Sequence, residues 1–162
     1  MRRSLWAALA VLGVCGSLNA AAAETVRAMP EDECQALARL VEADLGVKPA
    51  VSAGSVKRAP EIAGRACRVR WKGAGLDKGD QMQIVDRFFA HFLDWQPDFL
   101  ISASGPNLEI QGFRKDRQLI VMSARWDAPN GTCKADAPGA SCQVPATERV
   151  WTIDIDGMTS QP

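Results

Sequence analysis

The sequence contains no tyrosine and only one histidine, His91. It has no C-x-x-C pair, and its 19 basic and 19 acidic residues give a formal net charge of zero. Structural zinc sites are built from closely spaced cysteine and histidine ligands, so this composition argues against a zinc centre. A balanced charge provides no net attraction to nucleic acid or to anionic lipid. We therefore expect no metal, no cofactor and no nucleic-acid partner.

Long apolar runs are also missing, except at the N-terminus. Arg2 and Arg3 precede an uncharged apolar run over residues 5–18, and three alanines follow it at 21–23. This order is typical of a secretion signal. The run is shorter than the roughly 20 residues that cross a bilayer as a helix. We predict a cleavable signal peptide over residues 1–23, a single domain over 24–162, and no transmembrane segment in the mature chain.

Four cysteines remain after the predicted signal: Cys34, Cys67, Cys133 and Cys142. An even number of cysteines in an exported chain favours disulfides. Cys34 lies on the apolar stripe of a predicted helix and Cys67 on the apolar side of a predicted strand, so we predict that these two pair. Cys133–Cys142 is then the second pair. Together with the signal, these disulfides predict a bacterial periplasmic location, with secretion to the medium as the second choice.

Apolar periodicity defines the predicted elements. A spacing of three and four residues predicts amphipathic helices over 30–45 and 80–95. Alternation and turn residues predict strands over 67–71, 99–103, 108–113, 118–126 and 149–155, with a weaker one at 51–56. Short connections favour antiparallel pairing. We expect an α+β fold: a two-layer sandwich of an antiparallel β meander of four to six strands with two amphipathic helices on one face.

One strand is apolar on both of its faces. If Ile120 and Met122 contact the helices, then Leu119 and Val121 point the other way, and Phe113 of the neighbouring strand joins them. An exposed apolar patch of this kind usually marks a protein interface. Phe113, Leu119 and Val121 are therefore a candidate site for a protein partner or a homodimer. The alternative is that residues 47–65 or the loop 127–146 cover them.

Basic residues alternate along the strand that begins at Cys67. Arg68, Arg70 and Lys72 fall on one side of it, as a contact for an anion, a lipid headgroup or an anionic glycan requires. The alternative is that these residues form cross-strand ion pairs with outward acids such as Glu109 or Asp154.

Catalytic patterns are weak. His91 is a candidate general base, with Asp94 in position to orient it three residues later, and it would serve a small hydrolase. The sequence offers no G-x-S-x-G motif, and the predicted disulfides leave no free thiol as a nucleophile. We therefore favour a non-catalytic binding, inhibitor or accessory protein that acts through an open sheet face. The alternatives are the hydrolase and an envelope adaptor that uses Arg68 and Arg70.

Overall fold

The computed structural model describes residues 24–58, 62–129 and 144–162. The predicted α+β class is confirmed, with two α-helices and one seven-stranded sheet in these ranges. A short 3₁₀ turn, Ala146–Glu148, precedes the last strand. In chain order the elements are β1 (Glu24–Ala28), α1 (Glu31–Leu45), β2 (Ala50–Arg58), β3 (Ile62–Ala74), α2 (Gln81–Phe89), β4 (Gln96–Gly105), β5 (Leu108–Lys115), β6 (Gln118–Asp127) and β7 (Val150–Ser160).

The sheet is mixed, whereas the sequence predicted four to six antiparallel strands. Its order is β2-β3-β1-β7-β6-β5-β4, and β1 runs parallel to β3 but antiparallel to β7. β1 lies between these two strands at one end only, because β3 pairs directly with β7 from Cys67 onward. Gly64 makes room for β1: its φ is 149°, and a Cβ there would lie 1.9 Å from the carbonyl oxygen of Val26.

Both helices pack on one face of the sheet, as predicted. The Asp80 side chain caps α2 by accepting a 2.8 Å hydrogen bond from the Gln83 amide. Gly46 ends α1 in the left-handed conformation, with φ of 70°. The helix-side core is one cluster that contains residues of α1, α2 and the facing strands. Trp151 is the largest of its fully buried side chains.

The second helix is shorter than the predicted 80–95. After Phe89, the amides of Phe92 and Trp95 bond to carbonyls three residues earlier, at 2.9 and 3.0 Å. These tighter turns end the α-helix. They also bring Phe92 against Phe88 and Trp95 against Phe92, with ring centroids 5.2 and 5.3 Å apart. The apolar spacing that suggested a longer helix thus belongs partly to a compact aromatic turn.

A second, smaller core lies on the face opposite the helices. Leu119, Val121 and Met158 are completely buried there. Val56 of β2 and Ile62 of β3 belong to the same cluster, as does Ile101 of β4. Residues from both edge strands, β2 and β4, therefore contribute to this cluster.

Candidate functional site

Leu119 and Val121 have no exposed surface, so the exposed patch that the sequence predicted is absent at these positions. Val56 and Ile62, which lie in the segment 47–65 of the alternative, belong to the buried cluster that contains Leu119 and Val121. Phe113 lies on the other face, because its partner in the β5–β6 register is Ile120. It stacks on Phe89, with ring centroids 3.8 Å apart.

The exposed large apolar side chains of the described residues lie elsewhere: Met82, Leu93, Phe99 and Leu100. Phe99 and Leu100 belong to a bulge in β4, where residues 99–102 lie opposite the single residue Gln111 of β5. The Leu100 amide donates to the Asp98 carboxylate at 3.1 Å, which holds the bulge in a local turn. Partner binding through Phe113, Leu119 and Val121 stays a prediction.

The open half of the face opposite the helices carries a groove of about 470 Å³. We call it the sheet groove. Four adjacent strands form it, each with two side chains: Arg70 and Lys72 of β3, Thr152 and Asp154 of β7, Ser123 and Arg125 of β6, and Leu108 and Ile110 of β5. The strand register arranges these side chains in two rows across the sheet. One row is Arg70-Asp154-Ser123-Ile110 and the other is Lys72-Thr152-Arg125-Leu108.

The acid in the sheet groove is neutralised by its neighbour. Arg70 Nε donates to Asp154 Oδ1 at 2.5 Å, and Arg70 Nη2 donates to Oδ2 at 3.2 Å. The hydrogen bonds to Asp154 raise the pKa of the Arg70 guanidinium above its ordinary value. This contact confirms the predicted cross-strand pairing with Asp154. It also removes most of the repulsion that Asp154 would exert on an anion.

The other two cations of the sheet groove, Arg125 and Lys72, are less strongly paired with acids of the described residues. Arg125 lies 3.2 Å from Asp127, and both side chains are about half exposed, at 52% and 46%. Exposed pairs of this kind contribute about 0–1 kcal/mol, so they separate easily. Lys72 is exposed and makes no ion pair with the described residues. These two cations make the groove locally positive, although the whole chain has a formal net charge of zero.

Arg68, the third predicted anion ligand, already forms an ion pair with a carboxylate of the protein. Its Nε donates to Asp156 Oδ1 at 2.8 Å, and Nη2 of Arg58 donates to Oδ2 of the same carboxylate at 2.8 Å. Asp156 is 1% exposed. Arg58 and Arg68 therefore act as counter-ions of a buried acid. Of the predicted set Arg68, Arg70 and Lys72, only Lys72 is without a carboxylate partner among the described residues.

His91 is paired with an acid that the sequence did not single out. Its Nε2 lies 3.0 and 3.1 Å from the two carboxylate oxygens of Asp44, near the end of α1. Asp94, the predicted orienting residue, instead bonds to Lys115. The histidine thus connects the end of α1 to the turn that follows α2. Among the described residues no group of three or more His, Cys, Asp or Glu side chains is arranged to hold a metal ion.

The predicted Cys34–Cys67 disulfide is present, with Cα atoms 5.9 Å apart. It joins α1 to β3, and both cysteines are buried. A hollow of about 260 Å³ between α1 and β2 has both of these cysteines in its wall. The predicted Cys133–Cys142 pair and the predicted signal over residues 1–23 lie outside the described residues.

Five groove residues were not predicted from the sequence: Leu108, Ile110, Ser123, Arg125 and Thr152. Alternation along β6 and β7 does place Ser123, Arg125 and Thr152 away from the helix-side core. The signal that was lacking is the register, because it decides which of these side chains lie next to Lys72.

No protein-family model, curated protein or solved structure matches this chain. In the part of the chain that the structure describes, no helix has both the length and the apolar character needed to cross a membrane. The disulfide is compatible with a secreted or periplasmic protein.

Proposed function

We propose that this protein is an exported, non-catalytic binding protein that recognises an acidic group in the sheet groove. The observation that carries the proposal is the pairing pattern of the groove's charges. Arg70 neutralises Asp154, whereas Lys72 has no carboxylate partner among the described residues and Arg125 makes only an exposed pair with Asp127. The groove therefore has an excess of positive charge next to two hydroxyl donors, Ser123 and Thr152.

The groove is built on rigid elements, as a preformed binding site requires. All eight lining residues lie on paired strands of one sheet. Seven of them have a paired strand on both sides, and Lys72 is paired with β7 alone. Sites on such elements keep their geometry better than sites on loops. His91, the predicted general base, lies in the turn after α2 and is not a groove residue. The export route rests on the N-terminal signal pattern and on the disulfide.

A titration with simple anions tests this proposal. The ¹⁵N–¹H spectrum of the protein is recorded with increasing acetate and, separately, inorganic phosphate. We expect shift changes at the groove strands, and we expect the double variant Lys72→Gln, Arg125→Gln to lose them. Lys57→Gln is the matched control, because Lys57 is an exposed lysine on β2 outside the groove. Anion-induced shifts that are scattered over the surface, or that survive in the double variant, would refute the proposal.

A further inference from the structure

The two ends of the sheet groove have different chemistry. Lys72, Thr152 and Arg125 form a continuous polar row across β3, β7 and β6. Leu108 and Ile110 form an apolar wall on β5, and Leu108 lies directly next to Arg125 in the register. Both apolar residues are partly exposed, and Ile110 also packs against the second core. The groove thus joins a cationic end to an apolar end within one hollow.

The spacing of the strands sets the size of a ligand. Neighbouring strands lie roughly 5 Å apart, so the backbones of Lys72 and Arg125 are separated by roughly 10 Å, with β7 between them. Two long side chains can converge over Thr152 from that separation. From there, the wall on β5 is two strand spacings away, roughly 10 Å between backbones. A volume of about 470 Å³ lies within the range of small-molecule sites.

The charges of the groove favour a negatively charged ligand. The groove contains three cations and one acid, and that acid accepts both of its hydrogen bonds from Arg70. Lys72 provides a mobile ammonium group and Arg125 a planar guanidinium, a pair well suited to a carboxylate or phosphate oxygen. The hydroxyls of Ser123 and Thr152 are further hydrogen-bond donors at the same end.

The geometry points to a small organic acid with a short apolar chain as the ligand of the sheet groove. Its acidic group contacts Lys72, Arg125 and Thr152, and its chain contacts Leu108 and Ile110. This inference rests on the proposed function and adds to it the class of ligand. It also distinguishes a free small acid from an acidic lipid headgroup, whose chains would remain in the membrane.

The test is a series of straight-chain carboxylates, acetate, butanoate and hexanoate, titrated into the intact protein and followed by the same NMR shifts. A fully buried methylene improves binding by about fourfold, and a half-open groove should give about twofold for each methylene. Affinity should therefore rise roughly tenfold or more from acetate to hexanoate. Ile110→Thr, which keeps the branched shape, and Leu108→Thr should each flatten this rise. Leu100→Thr, an exposed apolar residue outside the groove, is the matched control.

The outcomes separate this inference from the proposed function. If acetate and hexanoate bind in the groove with equal affinity, the inference is wrong and the proposed function stands. If no anion binds there, the proposed function fails first. A third arm uses vesicles of phosphatidylglycerol: sedimentation with the vesicles, together with no binding of free carboxylates, would overturn the small-acid assignment in favour of a headgroup. A chain-length dependence that disappears in Ile110→Thr and Leu108→Thr supports the inference.

Discussion

Arg68 and Asp156, paired opposite each other on β3 and β7, form a hydrogen bond of 2.8 Å at the centre of the face opposite the helices. Asp156 is buried there between the second core and the sheet groove. A buried carboxylate without partners would be very costly, and Arg58 provides the second counter-ion. The contact from Arg58 ties the end of β2 to β7. We therefore expect Asp156 to hold the closed end of this face together.

Asp156→Asn should destabilise the fold by about 3 kcal/mol, because it leaves two arginines facing each other without a negative charge between them. Urea unfolding measures the change. Asp77→Asn removes the same charge from an exposed position and should cost less than about 0.5 kcal/mol. Equal unfolding free energies for the two variants would show that Asp156 has no structural role.

Leu119→Ala should cost about 2–5 kcal/mol, since Leu119 is fully buried in the second core. If Leu119 instead formed an exposed interface, its truncation would change partner binding and leave the stability nearly unchanged. Leu100→Ala is the comparison, because Leu100 is 78% exposed and its loss should alter the unfolding free energy by less than about 0.5 kcal/mol. Thermal or urea unfolding of both variants decides whether Leu119 is a core residue or an exposed interface residue.

The contact between Glu24 and Arg114 should make stability depend on pH. Hydrogen bonds from Arg114 lower the pKa of the Glu24 carboxyl below 4.5, and partial burial opposes this only in part. A lowered folded-state pKa means that the stabilisation is complete above the unfolded value and is lost as the pH falls through the folded value.

Glu24→Gln should therefore be less stable than the wild type at neutral pH, and the difference should shrink below a pH of about 4.5. Urea midpoints measured across this range test the prediction, with Glu42→Gln, an exposed helix position, as the control. A difference between wild type and Glu24→Gln that grows on acidification would contradict the assignment.

Asp127→Asn should strengthen anion binding in the sheet groove. Asp127 competes for Arg125 at 3.2 Å, so its neutralisation leaves that guanidinium free for a ligand. The gain should be about twofold to fivefold in phosphate affinity at low salt and should decrease as the salt concentration rises. The stability should hardly change, because this is an exposed pair. Unchanged or weaker phosphate binding would indicate that Arg125 does not contribute to the groove.

Local patterns were sufficient for much of the fold. The stripe of Cys34, Leu37 and Val41 and the alternation around Cys67 each place a cysteine on the buried side, and the two meet in the disulfide. The Asp80 cap follows from its position before an apolar stripe. These features depend on residues close in sequence, so the sequence alone reveals them.

The end of β7 shows what local patterns cannot reveal. Asp156-Gly157 is typical of a turn, yet both residues lie in the middle of a strand. Two arginines from other strands neutralise Asp156. Gly157 leaves space for α1: a Cβ there would lie 3.1 Å from Leu37 Cδ1. Both reasons come from partners distant in sequence.

The candidate site depends on register in the same way. Sequence placed Arg68, Arg70 and Lys72 on one side of β3, and that placement agrees with the structure. Which of them pairs with a carboxylate of the described residues depends on the β7 residues opposite them. Arg125, Leu108 and Ile110 lie on strands that the sequence predicted. It did not predict the register that aligns these strands with β7 and β3.

Intermolecular nuclear Overhauser effects between bound hexanoate and the protein show directly whether a small acid lies in the sheet groove. We expect contacts from the ligand's terminal methyl group to the methyl groups of Leu108 and Ile110, and from the protons next to its carboxylate to the Lys72 side chain. Contacts confined to the exposed Phe99 and Leu100 of the β4 bulge would contradict this expectation and place the binding surface at the edge of the sheet.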